Sequence, residues 1–406
     1  MHHHSYTFIT TAGLDSNPRL VKELSVLKRN ASVHVIAFNV HRHSSHDGII
    51  VQQFSDFTIK MLSALRKPFL PWLFSSFAHE VARLLGLVFT KSLLIHSIAH
   101  DKRTVLLLAE LLLHKRKYTS EMIICHNLGA LYPGYVLSRI TGARLAFDME
   151  DYHPGELIEG NAEKEKKRRE LILQKMLPHC AYVSFAADGF YELTKKYLIA
   201  DVPNPVVIYN TFHSDEFIEP QPLTDEKIRF IWFSQTIGWG RGLELFLEAI
   251  IRLDYPYEIT LIGRVNDAAF VKELRKCPHV LIYPPLQQAE LHRQLSAYDI
   301  GLALELSTID LNKNYALSNK LFAYLQAGLF VMATDTLGQK QFLQRFPMHH
   351  VLCKQTVEGM CEAIRIIAHA LPQIREQRLT RYQAARCIAW EHEQYKLIQV
   401  WEKILE

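Results

Sequence analysis

No Cys-x-x-Cys pair and no zinc-like Cys/His spacing occurs in the 406 residues. The six cysteines, Cys125, Cys180, Cys277, Cys353, Cys361 and Cys387, are scattered, which argues against a disulfide framework and suits buried thiols in a reducing compartment. An excess of one charge is missing too. With 46 Lys plus Arg against 42 Asp plus Glu, the net +4 is too small to point to a nucleic-acid partner. Nor is there an apolar run of the roughly 20 residues that a spanning helix needs. The stretch Val105–Leu113 is interrupted by Glu110 and ended by His114-Lys115-Arg116-Lys117. The opening MHHHSYTFITT lacks the basic, apolar and small-residue zones of a signal peptide, and His2, His3 and His4 at a terminus are given no metal role. A cytoplasmic protein that does not cross a membrane is expected.

What is present is alternation. Short β-branched or aromatic runs are separated by helix-length patterns, the mark of parallel βαβ units, and a chain of this length is expected to divide into two domains. Strands are expected at Tyr6–Thr10, Val33–Phe38, Met122–Cys125, Arg144–Phe147, Tyr182–Phe185 and Val206–Tyr209. The pattern then breaks at Asn210–Lys227, which holds Pro220 and Pro222 and reads as an interdomain linker. A second series follows at Ile228–Phe233, Glu258–Ile262, Val280–Tyr283, Ile300–Leu304, Phe330–Ala333 and His350–Leu352. The final segment, Trp390–Glu406, carries Leu397, Val400, Trp401 and Leu405 at helical spacing among charges, so its apolar face needs a surface to cover. The expected boundaries are 1–210, 211–388 and 389–406.

Two further stretches differ from their surroundings. Met61–Leu85 sets Arg66 and Lys67 beside Pro68, Phe69, Pro71, Trp72, Phe74 and Phe77. That composition suits a segment lying among lipid headgroups, and equally a helix packed inside its own domain. The run Glu163–Glu170 mixes signs at helix-pair spacings and reads as a solvated face.

In open α/β sheets ligands bind beyond the carboxyl ends of the strands, so the residues just after each strand are the candidates. After the first strand come Thr11-Ala12-Gly13-Leu14-Asp15 and then Arg19, where Gly13 lets backbone N–H groups approach a phosphate; the full Gly-x-Gly-x-x-Gly pattern is absent. His126 follows the strand ending at Cys125, with Asn127 beside it, and is placed either to meet a sugar hydroxyl or move a proton, or to serve the core. Asp148, Glu150, Asp151, His153 and Glu156 crowd into nine residues, as reacting groups or as helix caps. In the second half, Ser234–Gly242 is a turn with Gly238, Gly240 and Gly242 around Arg241 before a helix, a physically sensible diphosphate clamp. Further on, Lys320 lies in the first turn of a helix after Ser318 and Asn319, where its charge opposes the helix dipole and a bound anion would explain it.

Taken in order, these segments resemble the GT-B glycosyltransferases of family 4. The likeness runs through Asn17–Leu24, Cys125-His126-Asn127, Phe147–Asp151, Ile208-Tyr209-Asn210, Arg241–Glu244, Tyr298–Leu302 and Ser318–Gly328. It implies an α/β fold of two doubly wound Rossmann-like domains around a cleft, the first holding the acceptor and the second a nucleotide-sugar, with the terminal helix crossing back onto the first. It implies a retaining glycosyltransferase serving a surface-polysaccharide or lipid-linked acceptor, and the composition of Met61–Leu85 adds the expectation of peripheral contact at the inner face of the membrane. Arg241 and Lys320 would grip the donor diphosphate together with Gly13, Gly242, Ser318 and Asn319, while His126, Asp148, Glu150 and Asp151 would serve the reacting groups. No metal or cofactor is implied, because cationic side chains neutralise the leaving diphosphate and the nucleotide-sugar is a substrate. One departure stands out. The family's paired glutamates fall on Tyr315 and Ala323, and Glu305 is either a partial substitute or a solvated loop acid. An epimerase acting on a nucleotide-sugar, or a catalytically silent homologue that binds glycan or a partner, are the alternatives.

Overall fold

A computed structural model describes residues 4–27, 31–40, 45–158 and 160–406, so His2 and His3 lie outside the described residues. The chain divides into two compact units: one is formed by Met1–Ile208 together with Gln394–Glu406, the other by Tyr209–Glu393.

The first unit is built on β1 (Ser5–Thr10), β2 (Ser32–Asn39), β3 (Thr58–Ser63), β4 (Met122–His126), β5 (Arg144–Met149), β6 (Tyr182–Phe185) and β7 (Pro205–Val207). All pair in parallel, in the order β3-β2-β1-β4-β5-β6-β7. The central strands are apolar on both faces because helices cover both sides, as a parallel sheet requires. Edge strand β3 does not alternate cleanly and is half-exposed, which hid it inside the aromatic stretch that follows.

Residues Gln394–Glu406 finish this unit's core. Trp401 lies 5.4 Å from the ring of Tyr6 and donates its indole N–H to Tyr182 Oη at 2.8 Å. Leu397, Val400 and Ile404 are buried alongside it, so Ile404, not Leu405, completes the apolar face.

The second unit holds β8 (Ile228–Ile237), β9 (Tyr257–Val265), β10 (Val280–Tyr283), β11 (Ile300–Ala303), β12 (Phe330–Thr334) and β13 (His350–Cys353), again all parallel, in the order β10-β9-β8-β11-β12-β13. Phe230, Trp232, Phe246, Leu302, Met332 and Ile364 anchor its core. Gly301 on β11 is needed for the close approach of the helix Asn319–Gln326, since a Cβ there would meet the Tyr324 ring at 2.2 Å. The expected linker is part of this fold. The Phe212 N–H donates to Gln326 Oε1, and the Phe212 carbonyl accepts from Gln326 Nε2 and from the N–H of Trp390.

Two surface expectations change, for Glu163–Glu170 and Cys387, while Met61–Leu85 keeps much of its apolar face uncovered. Helix Phe69–Leu85 packs on helix Leu93–His100 and buries only Ser75 and Ala82, leaving Leu70 75%, Phe74 60% and Phe77 67% exposed. The charged run Glu163–Glu170 is not wholly solvated, because Arg168 is buried and Arg169 is tied to Glu156 and to the His153 carbonyl. Cys387 is exposed, whereas the other five cysteines are buried. Among the described residues no helix is long and apolar enough to cross a membrane.

Candidate functional site

In each sheet the strand order reverses direction next to the first strand of its series, between β1 and β4 and between β8 and β11. Crevices at such points are where open α/β sheets hold ligands. Both polar clusters of interest lie at the carboxyl ends of these strands.

In the first unit, Thr10, His126, Asp148 and Ser184 occupy matched register positions on β1, β4, β5 and β6, forming a polar row across four strands. All four are fully buried. Helix Pro18–Val26, with Pro18 in its first turn and Asn17 accepting the Leu20 N–H, supplies Arg19 and Glu23 from one face, four residues apart. Arg19 grips Asp148 with two prongs, Nε to Oδ2 at 2.6 Å and Nη2 to Oδ1 at 2.8 Å, and Ser184 donates to the same carboxylate. The Arg19 Nη1 donates to the carbonyl of Ile208. His126 Nε2 lies 3.3 Å from Glu23 Oε2, and Nδ1 lies 3.4 Å from Asp148 Oδ2 and 3.8 Å from Glu150 Oε1.

Burial works against charge on His126, but the charge of Glu23, the nearby Glu150 carboxylate, the hydrogen bond to Glu23 and the charge of Asp148 outweigh it and raise the imidazole to about 10. Burial likewise disfavours the Asp148 carboxylate, and Arg19 with His126 overcomes this and holds it below its usual range. Burial raises Glu23 despite its histidine partner, so Asp148 is the firm negative centre of the group. Each of these buried charges is paired with an opposite one, so removing a single partner would leave its neighbour uncompensated.

The remaining first-unit candidates are accounted for one by one. Asn127 has φ 67°, a left-handed conformation uncommon outside glycine, and its Oδ1 accepts from Thr10 Oγ1 at 2.6 Å. Gly13 is buried in the turn after β1, where a Cβ would come within 2.8 Å of Asp15 Oδ1. Asp151 is half-buried, and its carbonyl accepts the His153 N–H. Glu156 pairs with Arg169 at 2.6 Å and with His153 at 3.5 Å. The crowd of acids is thus held by cations drawn from distant segments. His126 is enclosed and flanked by carboxylates on both nitrogens, an arrangement that orients the strand ends and leaves no ring nitrogen facing solvent.

In the second unit, Gly242 precedes helix Leu243–Ile250 with φ 78°, and Glu244 accepts the Gly240 N–H at 3.0 Å, closing the helix start. Arg241 donates to Ser234 Oγ at 3.2 Å. Lys320, in the first turn of Asn319–Gln326, lies over the Trp232 ring at 5.4 Å and reaches Glu305 Oε1 at 3.4 Å. Burial pushes the Lys320 ammonium down, Glu305 pulls it part of the way back, and the positive charge of Arg241 lowers it further. Two cations that repel at the starts of two helices form a site that an anion would relax. Ser318 Oγ is shut off from solvent with no hydrogen-bond partner, and Asn319 Oδ1 accepts from Asn210. Glu305 is buried, not a solvated loop acid, and its N–H donates to Thr334 Oγ1 at 2.9 Å. Ala323 is wholly buried, and the Tyr315 carbonyl abuts Gly338.

The chain matches no family model and no curated protein. It is similar over its length to solved structures. With sucrose-phosphate synthase from Thermosynechococcus elongatus it shares 12% identity over 99% of both chains, at a TM-score of 0.69. With HepE of Anabaena, solved in complex with UDP and glucose, it shares 12% identity over 99% of this chain and 100% of that one, at 0.66. With the lipopolysaccharide outer core galactosyltransferase WaaB it shares 12% identity over 95% and 98%, at 0.56. The fold is GT-B.

Within this GT-B chain, the sequence singled out Arg241, Lys320 and Glu305, and Ser234 as the start of the glycine turn, but not the supports Trp232 and Thr334. It also missed Glu23, whose spacing from Arg19 was the available signal. Glu23, His126 and Asp148 offer ligand atoms within 4.8 Å of one another, close enough for a metal ion. A cation entering there would meet the Arg19 guanidinium already bonded to Asp148, and would have to displace the proton held on His126.

Proposed function

We propose that this chain is a retaining glycosyltransferase that takes a sugar from a nucleotide-diphosphate donor and passes it to a glycan or lipid-linked acceptor in surface-polysaccharide synthesis. The observation that carries the reading is the convergence of Arg241 and Lys320 at two helix starts beside the β8/β11 reversal. As the bond from the sugar's anomeric carbon to the diphosphate breaks, negative charge builds on the leaving oxygens, and fixed cations there lower the barrier. The acceptor hydroxyl then bonds to the same carbon, and its proton passes to the oxygen of the departing diphosphate. Glu305, placed 3.4 Å from Lys320, is suited to a sugar or ribose hydroxyl once the ammonium turns to phosphate.

Complexes of HepE with UDP and with UDP-glucose favour a uridine donor. WaaB, a galactosyltransferase of lipopolysaccharide, favours a cell-surface glycan as product. The open apolar face of helix Phe69–Leu85, with Arg66 and Lys67 exposed just before it, supports a cytoplasmic protein resting on the inner membrane surface, where a lipid-linked acceptor would be met.

The test is calorimetry with UDP and other nucleoside diphosphates, followed by donor hydrolysis and transfer with a panel of nucleotide-sugars. Diphosphate-dependent binding with transfer supports the reading, and absence of binding to every nucleoside diphosphate overturns it. Release of an altered nucleotide-sugar without acceptor would identify an epimerase instead. Ala323 and Tyr315 favour a second reading, a catalytically silent binding protein, and tight donor binding without turnover would establish that.

A further inference from the structure

We propose that the cavity between helices Leu93–His100 and Ala162–Met176 binds the phosphate group of a membrane lipid. The cavity has a volume of about 440 Å³ and is lined by His96, Asn161, Lys164, Lys167 and Arg168, with one carboxylate, Glu163. It lies in the first unit, and none of these residues belongs to the cluster of Arg19, Glu23, His126 and Asp148. Glu163 pairs with Lys167 at 3.3 Å and Glu165 with Arg168, so two of the three cations have carboxylate partners and Lys164 is the third.

Two polar side chains that line the cavity are more than nine-tenths buried and incompletely bonded. Arg168 is 6% exposed; its Nη1 is tied to Glu165, but its Nε–H has no acceptor. His96 is 7% exposed; its Nε2 bonds the Thr90 carbonyl at 2.9 Å, and its Nδ1 has no partner. Burial lowers the pKa of His96, the hydrogen bond to Thr90 and the charge of Glu165 work against this, and the charges of Arg168 and Lys164 add to it. Both atoms are closed to solvent, so a phosphate would accept from the Arg168 Nε–H after a small shift of the side chains, and its charge would favour a proton on His96 Nδ1. The start of the 15-residue helix Ala162–Met176 adds its positive dipole end to the same place.

The rim identifies the source of the phosphate. Gly86 and Thr90 line the cavity, and the residues around them, Leu84, Leu87, Val88 and Phe89, are exposed large apolar side chains continuous in sequence with the open face of Phe69–Leu85. A soluble anion gains nothing from such a rim. A lipid would place its phosphate in the cavity and its chains along the apolar strip.

The inference rests on the membrane part of the proposed function, and the test separates the two. Flotation of the full chain is measured on vesicles of phosphatidylcholine alone, and with phosphatidic acid or phosphatidylglycerol at matched surface charge. The wild type should bind phosphatidic acid vesicles about tenfold better than phosphatidylglycerol vesicles, since a terminal phosphate offers more acceptor oxygens to the charged donors. Arg168→Lys and the more exposed pair Lys164→Gln/Lys167→Gln should lose that preference while keeping flotation and melting temperature. Equal flotation on the two anionic lipids overturns the phosphate site and leaves membrane association standing. Absence of flotation on every vesicle overturns both. Inorganic phosphate bound as tightly as phosphatidic acid vesicles overturns the lipid as its source.

Discussion

His126 and Asp148 stand opposite each other on neighbouring parallel strands, Nδ1 to Oδ2 at 3.4 Å, with neither side chain open to solvent. The imidazole is raised from 6.5 to about 10 by its acidic surroundings acting against burial. A raised folded-state value means that the stabilisation is complete below the unfolded value and is lost as pH rises through the folded one. His126→Gln should therefore be destabilised by about 3 to 5 kcal/mol near pH 6, the range for breaking a buried pair. The gap in melting temperature from wild type should narrow between pH 6.5 and 10. A gap that stays constant across this window would mean that the histidine is neutral when folded.

The same variant separates orientation from proton transfer. If His126 only holds the strand ends together, single-turnover transfer in His126→Gln should fall in proportion to the folded fraction, with diphosphate affinity unchanged. A folded variant that binds donor normally yet has lost transfer would show that the imidazole takes part in the chemistry.

Arg241→Ala and Lys320→Ala should each weaken UDP binding by about 1 to 3 kcal/mol in calorimetry. Lys320→Ala also leaves Glu305 buried without its cation, so Lys320→Ala/Glu305→Gln should recover stability without recovering affinity. Unchanged affinity in both single variants would remove the diphosphate from this site.

Phe74→Ser/Phe77→Ser should leave the melting temperature within about 1 °C of wild type, because surface positions away from special contacts tolerate change, and should abolish vesicle flotation. A large drop in melting temperature would show that this face is packed after all.

The strands were readable because their apolar runs are long and bounded, as at Tyr6–Thr10 and Ile228–Phe233; β3 was not, because Lys60 and Ser63 interrupt a half-exposed edge. Arg241 and Lys320 could be found from local signals, a glycine turn and a basic residue in a helix's first turn. The enclosure of His126 could not, since it depends on Arg19 and Glu23, more than a hundred positions earlier, folding back to neutralise Asp148. Arg168 was misjudged for a similar reason: Glu163 and Lys167 on the same helix are solvated, but the face on which Arg168 lies is covered by Leu93–His100.

Trp401 seals the β1 side of a sheet whose last strand ends almost two hundred residues before it. The order in which the chain is made therefore differs from the order in which it becomes stable. Throughout translation of Tyr209–Glu393, Tyr6, Phe8 and Tyr182 lack the indole that covers them in the finished fold. Until the closing helix is made, the first unit has these rings without their cover, an opening for chaperones and for aggregation.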